Sequence, residues 1–551
     1  MNKDIKYALD YHEATKHSEI SLMTSRHYLD LDNRPLPFKV YIELSSLPLP
    51  LDFPQPTLNA IDSISRIYPQ TSETVTTNSF PTVLDIKSVA EILFFSGGIT
   101  REIKYPFSTY YMRAASATGA LYPIELYIIC QDLRDLKAGV YHFGPADFTL
   151  NQIRAGDYRR GLRAAAGDNQ AISAAPIALI FTSVAWRNAW KYQARSYRHW
   201  FWDSGVIAAN LLATTISMGL RTRLITGFVD DEVSRLLCLE DQREATVAIA
   251  AIGIGLSNDP LRKDDEQIPY LPIPKIRPLS KKGEIEYPEV WRLNEASKLF
   301  SKQEVKEWIN NNNDPSLVTS DKHTSAIAQN FGRQTLLKEQ QLSSSSFARL
   351  GEVILRRGSS RRFARSSVSF SVLSTILYSS TMGVPLDIFK EDGDSLIDIY
   401  IIANNIDGIT PGSYFFNRKA HCLEELKRNV LRNVSGYLCL GQSLFSDASA
   451  VLFLMTDLHS VLKLLGNRGY RVCQFEAGVI AGKIYLAAYA QGIGASGSTF
   501  FDEAVTEFFS PHAKCKNTMI AIGIGVPAYK AKPGKMLSPR MTKQQLLTEN
   551  L

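Results

Sequence analysis

The sequence predicts an α+β protein built from two related units in tandem, and three observations carry that expectation. A set of short motifs recurs at one fixed spacing along 551 residues. Each recurrence falls in the same order of helical and strand-like segments. The composition, 45% hydrophobic and 21% charged, is that of ordinary globular domains. Length alone would allow three or four domains, and the recurrence reduces them to two.

The repeat is legible residue by residue. Residues 125–129 read ELYII and 398–402 read DIYII, an offset of 273. At that offset Gly139-Val140-Tyr141 meets Gly412-Ser413-Tyr414, and Arg195-Ser-Tyr-Arg198 meets Arg468-Gly-Tyr-Arg471. Asp203-Ser-Gly-Val-Ile-Ala208 meets Glu476-Ala-Gly-Val-Ile-Ala481 without a gap, and Gly219-Leu220 meets Gly492-Ile493. Ile252-Gly-Ile-Gly255 then meets Ile522-Gly-Ile-Gly525 at an offset of 270. Similar strands recur in many proteins and would explain ELYII against DIYII. They would not explain RxYR followed by Asp/Glu-x-Gly-Val-Ile-Ala, held in one register over roughly 95 residues.

Each unit then reads in order. A helix (Ile86–Ser96, Phe370–Ser380) leads to a strand (Ile124–Cys130, Leu396–Ala403) and to a second strand opening at Gly-x-Tyr (Val140–Phe143, Ser413–Phe416). An apolar strand follows (Ile177–Thr182, Ala450–Met455), then a long helix (Asp203–Met218, Glu476–Gln491) whose Ala and Gly content suits burial. A strand entering Gly-Ile-Gly closes the unit. The expected division is a 1–80 arm, a first unit at 81–262, a 263–345 connector, a second unit at 346–530 and a 531–551 tail. The connector is rich in Pro, Lys, Asn and Ser, with NNNNDP and the run Ser343–Ser346, and reads as a long connection with one or two helices, such as Asn294–Asn310.

Composition excludes several classes. The net charge of +6 is too small over this length to indicate a nucleic-acid partner by itself. Six cysteines at 130, 238, 422, 439, 473 and 515 contain no CxxC pair, so a structural zinc or a disulfide framework is not expected. The nine histidines show no paired metal-ligand spacing, and there is no GxSxG or Walker loop. The N-terminus lacks a signal-peptide core, and the best apolar runs, such as Ala245–Leu256, are too short for a membrane span. A soluble, cytoplasmic protein is the expectation.

Four segments could carry chemistry. Leu355–Phe363 places four arginines and two serines within positions 356–362, which suits a phosphate and equally a solvated basic loop or a kinase-type RRxS site. In Arg113–Pro123 small residues would let a backbone approach a flat ligand, with Arg113, Ser116 and Thr118 as hydrogen-bonding groups, unless the segment is simply a turn. Gly492–Gly497 matches GxGxxG, but it ends a helix where the dinucleotide fingerprint must open one, so a glycine C-cap is the better account. Arg187, Lys191, Arg195 and Arg198 fall at helical spacing, as a basic solvated face would. Lys191-Tyr192 nevertheless becomes Leu464-Leu465 in the other unit while Arg195 and Arg198 keep their partners, as a single site at an interface requires.

Together these pieces resemble the nitroreductase-like flavoproteins, in particular the SagB-type thiazole/oxazole dehydrogenases and cyanobactin oxidases. The resemblance rests on YHEATKHS (Tyr11–Ser18), RAASATGALYPIELY (Arg113–Tyr127), WKYQARSYR with DSG (Trp190–Gly205) and RRGSSRRF (Arg356–Phe363). It implies a nitroreductase-like α+β fold with FMN at a dimer interface, here duplicated in tandem as an intramolecular pseudo-dimer. It places the phosphate-binding R-x-S-x-R on Arg357, Ser359 and Arg361, and the opposing flavin loop on Arg113, Ser116, Ala117 and Thr118. It places the backbone approaching the flavin ring on Gly497 and Ser498, and the catalytic pair on Lys191 and Tyr192. A second, mirror site would be dead, because the first unit lacks the grip and the second lacks Lys-Tyr. Two departures stand out. Val206 replaces the family's frequent His after D-x-G, and the flavin loop carries Ala115-Ser116 or Ser116-Ala117 in place of Pro-Ser.

The implied activity is FMN-dependent oxidation of thiazolines or oxazolines in a ribosomally made peptide to the azoles. The precursor peptide would be substrate and the cyclodehydratase of the same pathway a partner, with pairing of whole chains left open. Neither a nucleic acid nor a membrane is expected as a partner. Lys191 would act as base, with burial or neighbouring Arg195 and Arg198 lowering its pKa, and Tyr192 would orient the ring or relay the proton. The alternatives are an NAD(P)H-dependent nitro- or quinone reductase, and a flavin-less pseudoenzyme that holds a peptide.

Overall fold

The computed structural model describes residues 1–69, 84–105, 108–257, 268–311, 333–337, 348–391, 393–536 and 541–548. Most of NNNNDP and the run Ser343–Ser346 lie outside the described residues.

Two seven-stranded sheets share one plan. The first runs Ser46–Pro48, Thr149–Ala155, Gly139–Gly144, Ile124–Cys130, Ile177–Val184, Glu244–Ile252, Thr222–Ile225. The second runs Gln334–Leu336, Cys422–Arg428, Gly412–Asn417, Asp398–Ala403, Ala450–Thr456, Asn517–Gly525, Gly494–Ser498. Every pairing within either sheet is antiparallel. The central strands read as unbroken apolar runs because both faces are covered, and Ile124–Cys130 and Ala450–Thr456 are buried along their whole length.

The two long helices, Ser196–Ser217 and Arg468–Ala490, are buried nearly all round, which is why they carry no polar stripe. They cross at glycines. A Cβ on Gly205 would lie 2.5 Å from the Phe475 carbonyl oxygen, and one on Gly478 2.7 Å from that of Trp202. The glycine of each Asp/Glu-x-Gly motif is therefore the point where one backbone touches the other. A single apolar cluster runs through this crossing and includes Phe95, Leu211, Leu377 and Ile484.

Both helices start about two turns earlier than expected, because the RxYR motifs lead into or form their first turns. Those arginines make a reciprocal lock. Arg195 and Arg198 pair with Asp502 at 3.1 and 2.8 Å, while Arg468 and Arg471 pair with Asp230 at 2.7 and 2.6 Å. All six side chains are buried. Each aspartate opens a short helix of the opposite sheet's unit, Asp502–Phe509 or Asp230–Leu237. Each also accepts from a segment further out, His17 N at 2.8 Å or Leu299 N at 3.1 Å.

The helices before those segments, Lys6–Ala14 and Pro288–Ala296, occupy corresponding places. Thr15 bonds to Arg198 as Ser297 bonds to Arg471. The connector holds two helices among its described residues, Pro288–Ala296 and Lys302–Asn311, with a break inside the span expected at Asn294–Asn310. The Ser297 hydroxyl turns back onto the Leu293 and Asn294 carbonyls, and Leu299 bridges to Val229. An unforeseen hairpin, Ile99–Tyr105 with Ser108–Arg113, belongs to the first unit alone. Gly492 sits at φ +78° after the helix ending at Ala490, so Gly492–Gly497 is a helix stop leading into an edge strand. Among the described residues, no helix is long and apolar enough to cross a membrane.

Candidate functional site

The residues singled out from the sequence converge where the hairpin and loop of the first unit meet the RRGSSRRF segment of the second. After the helix Leu350–Arg356, Arg357 is buried and donates to the carbonyls of Ala114 at 2.9 Å and Arg113 at 3.1 Å. The Arg101 guanidinium returns the contact, donating to the Arg357 and Leu355 carbonyls. Arg357 is thus a clamp between units. Ser359 bonds to the Tyr485 hydroxyl, which also accepts from the Gly497 amide at 2.5 Å. Ser360 N donates to the Ala495 carbonyl, and the buried Ser360 hydroxyl has no partner among the described residues. The grip segment and the Gly497-Ser498 backbone are therefore tied together. Ser498 itself donates to the Thr499 carbonyl and accepts from Gln442, both at 2.7 Å. Arg361 is exposed, its amide bonded to Tyr529.

On the first unit's side the loop after Arg113 is conformationally demanding. Gly119, Ala120 and Tyr122 all have φ between +51° and +63°, a concentration of left-handed residues typical of ligand-facing loops. The Arg113 side chain is turned inward, donating to Pro37 and Ile124 carbonyls, and burial lowers its pKa to about 10. It holds the loop from behind. A small cavity beneath the loop is lined by Gly97, Arg113, Ser116, Ala117, Tyr122 and Asp203. Thr118 donates to the buried Asp203 carboxylate through its amide at 2.9 Å and its hydroxyl at 2.7 Å. Asn188 adds a third, longer bond at 3.4 Å. No cation is among these partners, so desolvation dominates and pushes the Asp203 pKa up to about 7.

Lys191 and Tyr192 end the helix Ala185–Tyr192, which Gln193 breaks at φ +50° before the long helix begins. A Cβ at Gly119 would lie 2.6 Å from the Tyr192 hydroxyl oxygen, so that hydroxyl rests on the loop. The Lys191 amine lies over the Tyr192 ring, 5.3 Å from its centre. Its pKa is lowered by burial first, then by the charges of Arg361 and Arg34. Of the two expected causes, burial acts, whereas Arg195 and Arg198 are not among the charges that depress it. Both are committed to Asp502, and Arg195 also donates to Thr499 at 2.9 Å. A cation from the second unit reaches Lys191 instead.

Several residues here escaped the sequence reading. His199 meets Tyr192 edge-on at 4.5 Å, and burial holds its pKa well below the usual histidine range. Asp203 was visible only as part of a DSG motif. Tyr485, Arg101 and Arg34 carry no local pattern, because what gives them a role is contact with residues distant in sequence, across the units in the case of Arg101.

Residues 79–255 match the Nitroreductase family model. That match covers the first unit, about a third of the chain. Among curated proteins to which the chain is similar, the candidate nitroreductase MJ1384 of Methanocaldococcus jannaschii is 27% identical over 158 residues, 29% of this chain and 76% of that protein. The microcin B17-processing protein McbC of Escherichia coli is 25% identical over 140 residues, 24% of this chain and about half (52%) of McbC. The crystal structure of a candidate nitroreductase from Anabaena variabilis superposes with a TM-score of 0.72 at 23% identity. That superposition covers 95% of this chain and 99% of that one, so the fold is shared over nearly the full length.

The place related to the site by the repeat is built differently. There Leu224, on the edge strand corresponding to Gly494–Ser498, bridges directly to Leu386 of the second unit. Asp387 accepts from the Thr226 amide and hydroxyl and the Gly227 amide at 2.8–2.9 Å. Chain fills the position that on the other side faces the small-residue loop.

Proposed function

We propose that the chain is a tandem duplicate acting as its own dimer, with one FMN held between the units for the oxidation of azolines in a ribosomally made peptide. The residues present fit such a cofactor. Ser359, Arg361 and the unpartnered, buried Ser360 hydroxyl form a set suited to a phosphate, with Arg357 fixing the segment that carries them. The Ser116–Thr118 loop and the Gly497-Ser498 backbone offer two walls with little side-chain bulk. FMN, when bound, supplies the two-electron chemistry that no side chain here can.

The chain's own residues handle binding and protons. Lys191, depressed by burial and by Arg361 and Arg34, is the group suited to take the proton from the ring carbon beside the carbonyl. Tyr192, whose pKa burial raises, stays a neutral hydroxyl that can orient the ring. Similarity to McbC, whose name concerns processing of microcin B17, supports a peptide substrate, and with it a cyclodehydratase as partner. The observation that carries the reading is the junction of the units there, where Arg357 of the grip segment donates to the Ala114 and Arg113 carbonyls at the root of the small-residue loop.

The test is the visible spectrum of the purified protein, followed by the mass of a thiazoline peptide incubated with it. A yellow protein and loss of two hydrogens are expected. Lys191→Ala should retain flavin and lose turnover by about 100-fold or more; retained turnover would remove Lys191 from the mechanism. A nitro- or quinone reductase is favoured by the family match and the names of MJ1384 and the Anabaena structure. Anaerobic bleaching of the flavin by NAD(P)H, without reduction by the azoline peptide, would establish that instead.

A further inference from the structure

A second concavity lies behind the helix that carries Lys191 and Tyr192, and none of the candidate flavin-site or catalytic residues lines it. It encloses about 320 Å³, within the roughly 300–1,000 Å³ usual for ligand pockets. One wall is the helix Ala185–Tyr192, through Ala185, Trp186 and Ala189. The other is the strap 278–287 and the following helix, through Leu279, Tyr287, Val290 and Trp291. The Trp186 indole N–H is satisfied by Ser280 at 3.1 Å, which fixes the strap against the helix. Tyr287 bonds to Gln193, the residue that breaks the helix just after Tyr192. The cleft and the candidate site thus share one helix and its terminal turn.

The rim has a definite charge. Arg243 is bonded by both Glu240 and Glu284, which more than neutralise its guanidinium. Glu286 adds a third carboxylate, exposed on the rim and given no ion pair among the described residues. Three carboxylates around one cation leave a surplus of negative charge over walls made of two tryptophans and a tyrosine. That combination suits a guanidinium or ammonium on an apolar stem, which gains both charge pairing and an aromatic face.

We infer that this cleft binds a basic side chain, with its apolar neighbours, from the peptide whose ring is presented at Lys191. The inference rests on the azoline reading for the identity of the peptide, and its binding chemistry can be read without any turnover. An acidic peptide would be repelled by the rim, and an uncharged apolar one would gain nothing from Glu284 and Glu286.

The experiment titrates the full chain with an acetylated octapeptide carrying one arginine among alanines and leucines, beside versions with citrulline or glutamate there. Binding is followed by tryptophan fluorescence, which reports directly because Trp186 and Trp291 line the cleft. The arginine peptide should bind about tenfold tighter than the citrulline version, with the glutamate version weaker still. Glu284→Gln with Glu286→Gln should reduce that preference to about twofold. Glu286→Gln alone should move it the same way, which guards against misfolding of the double variant. Trp291→Phe should diminish the signal. Equal affinity for the three peptides, or a preference unchanged in both Gln variants, would overturn the proposal. Charge-dependent binding without azoline oxidation would sink the azoline reading alone. Oxidation of arginine and citrulline azoline peptides with equal KM would sink the cleft alone.

Discussion

At the scale of single residues, two titratable groups, the half-buried Lys191 and the buried Asp203, set the expected pH behaviour. Lys191 needs to be neutral to accept a proton, so the rate should rise with pH through its depressed pKa. Arg34 is one cause of that depression and lies outside the cofactor set, with its guanidinium 4.5 Å from the centre of the Tyr110 ring. Arg34→Gln should therefore leave bound flavin unchanged and move the rising limb to higher pH, by up to about one unit. A limb that stays in place would show that Arg34 does not act on the titrating group. Asp203 behaves oppositely to an ordinary carboxylate. Its pKa is raised to about 7 by burial, so the native state keeps a proton that the unfolded chain has lost. Between the usual carboxylate pKa and about 7, folding stability from this group falls as pH rises, at roughly 1.4 kcal/mol per unit. Asp203→Asn mimics the protonated form, and its amide N–H can donate to the unpartnered Asn188 Oδ1. Urea unfolding at pH 5 and pH 7.5 should show the variant gaining stability relative to the parent at the higher pH. An equal difference at both pH values would contradict that assignment.

At the scale of elements, the crossing of the long helices is the tightest constraint. A methyl group at Gly478 would meet backbone atoms of Phe201 and Trp202 within 3 Å, and backbone cannot swing aside as a side chain can. Gly478→Ala should cost at least about 3 kcal/mol, seen as a fall in the urea midpoint; a loss under about 1 kcal/mol would mean the helices separate easily. This glycine was legible as part of a motif repeated in register, although its reason was not. Strands such as Ile124–Cys130 and the helix Phe370–Ser380 fall where apolar runs and periodicity put them. The start of the helix Ser196–Ser217 was not legible, because buried arginines in its first turns read as a solvated face. The hairpin Ile99–Arg113 was missed because REIKY and STYYMR alternate only weakly. The likeness of Lys6–Ala14 to Pro288–Ala296 was hidden by an offset of 282 in place of 273, with little beyond HEATK against NEASK to mark it. Of the candidate site, the segments were legible and the side-chain directions were not. Arg357 and Arg113 sit where expected but face backbone carbonyls, a choice set by the opposing unit.

At the scale of the whole molecule, the chain has two sheets of one plan, yet its two inter-unit positions have diverged. One is faced by the Arg113–Pro123 loop, the grip at Arg357–Arg361 and the Lys191-Tyr192 turn. The other is closed by the Leu224–Leu386 bridge and by Asp387 bonded to Thr226 and Gly227. The reciprocal locks of Asp502 and Asp230 hold both positions with matched geometry, so the difference lies in the loops rather than in the docking of the units. Single-site character is the central claim, and bound flavin counts it directly. Absorbance of the fully loaded protein at the flavin and protein bands should give one FMN per chain. Two per chain would contradict the closed second position, and none after reconstitution would contradict the flavin site itself.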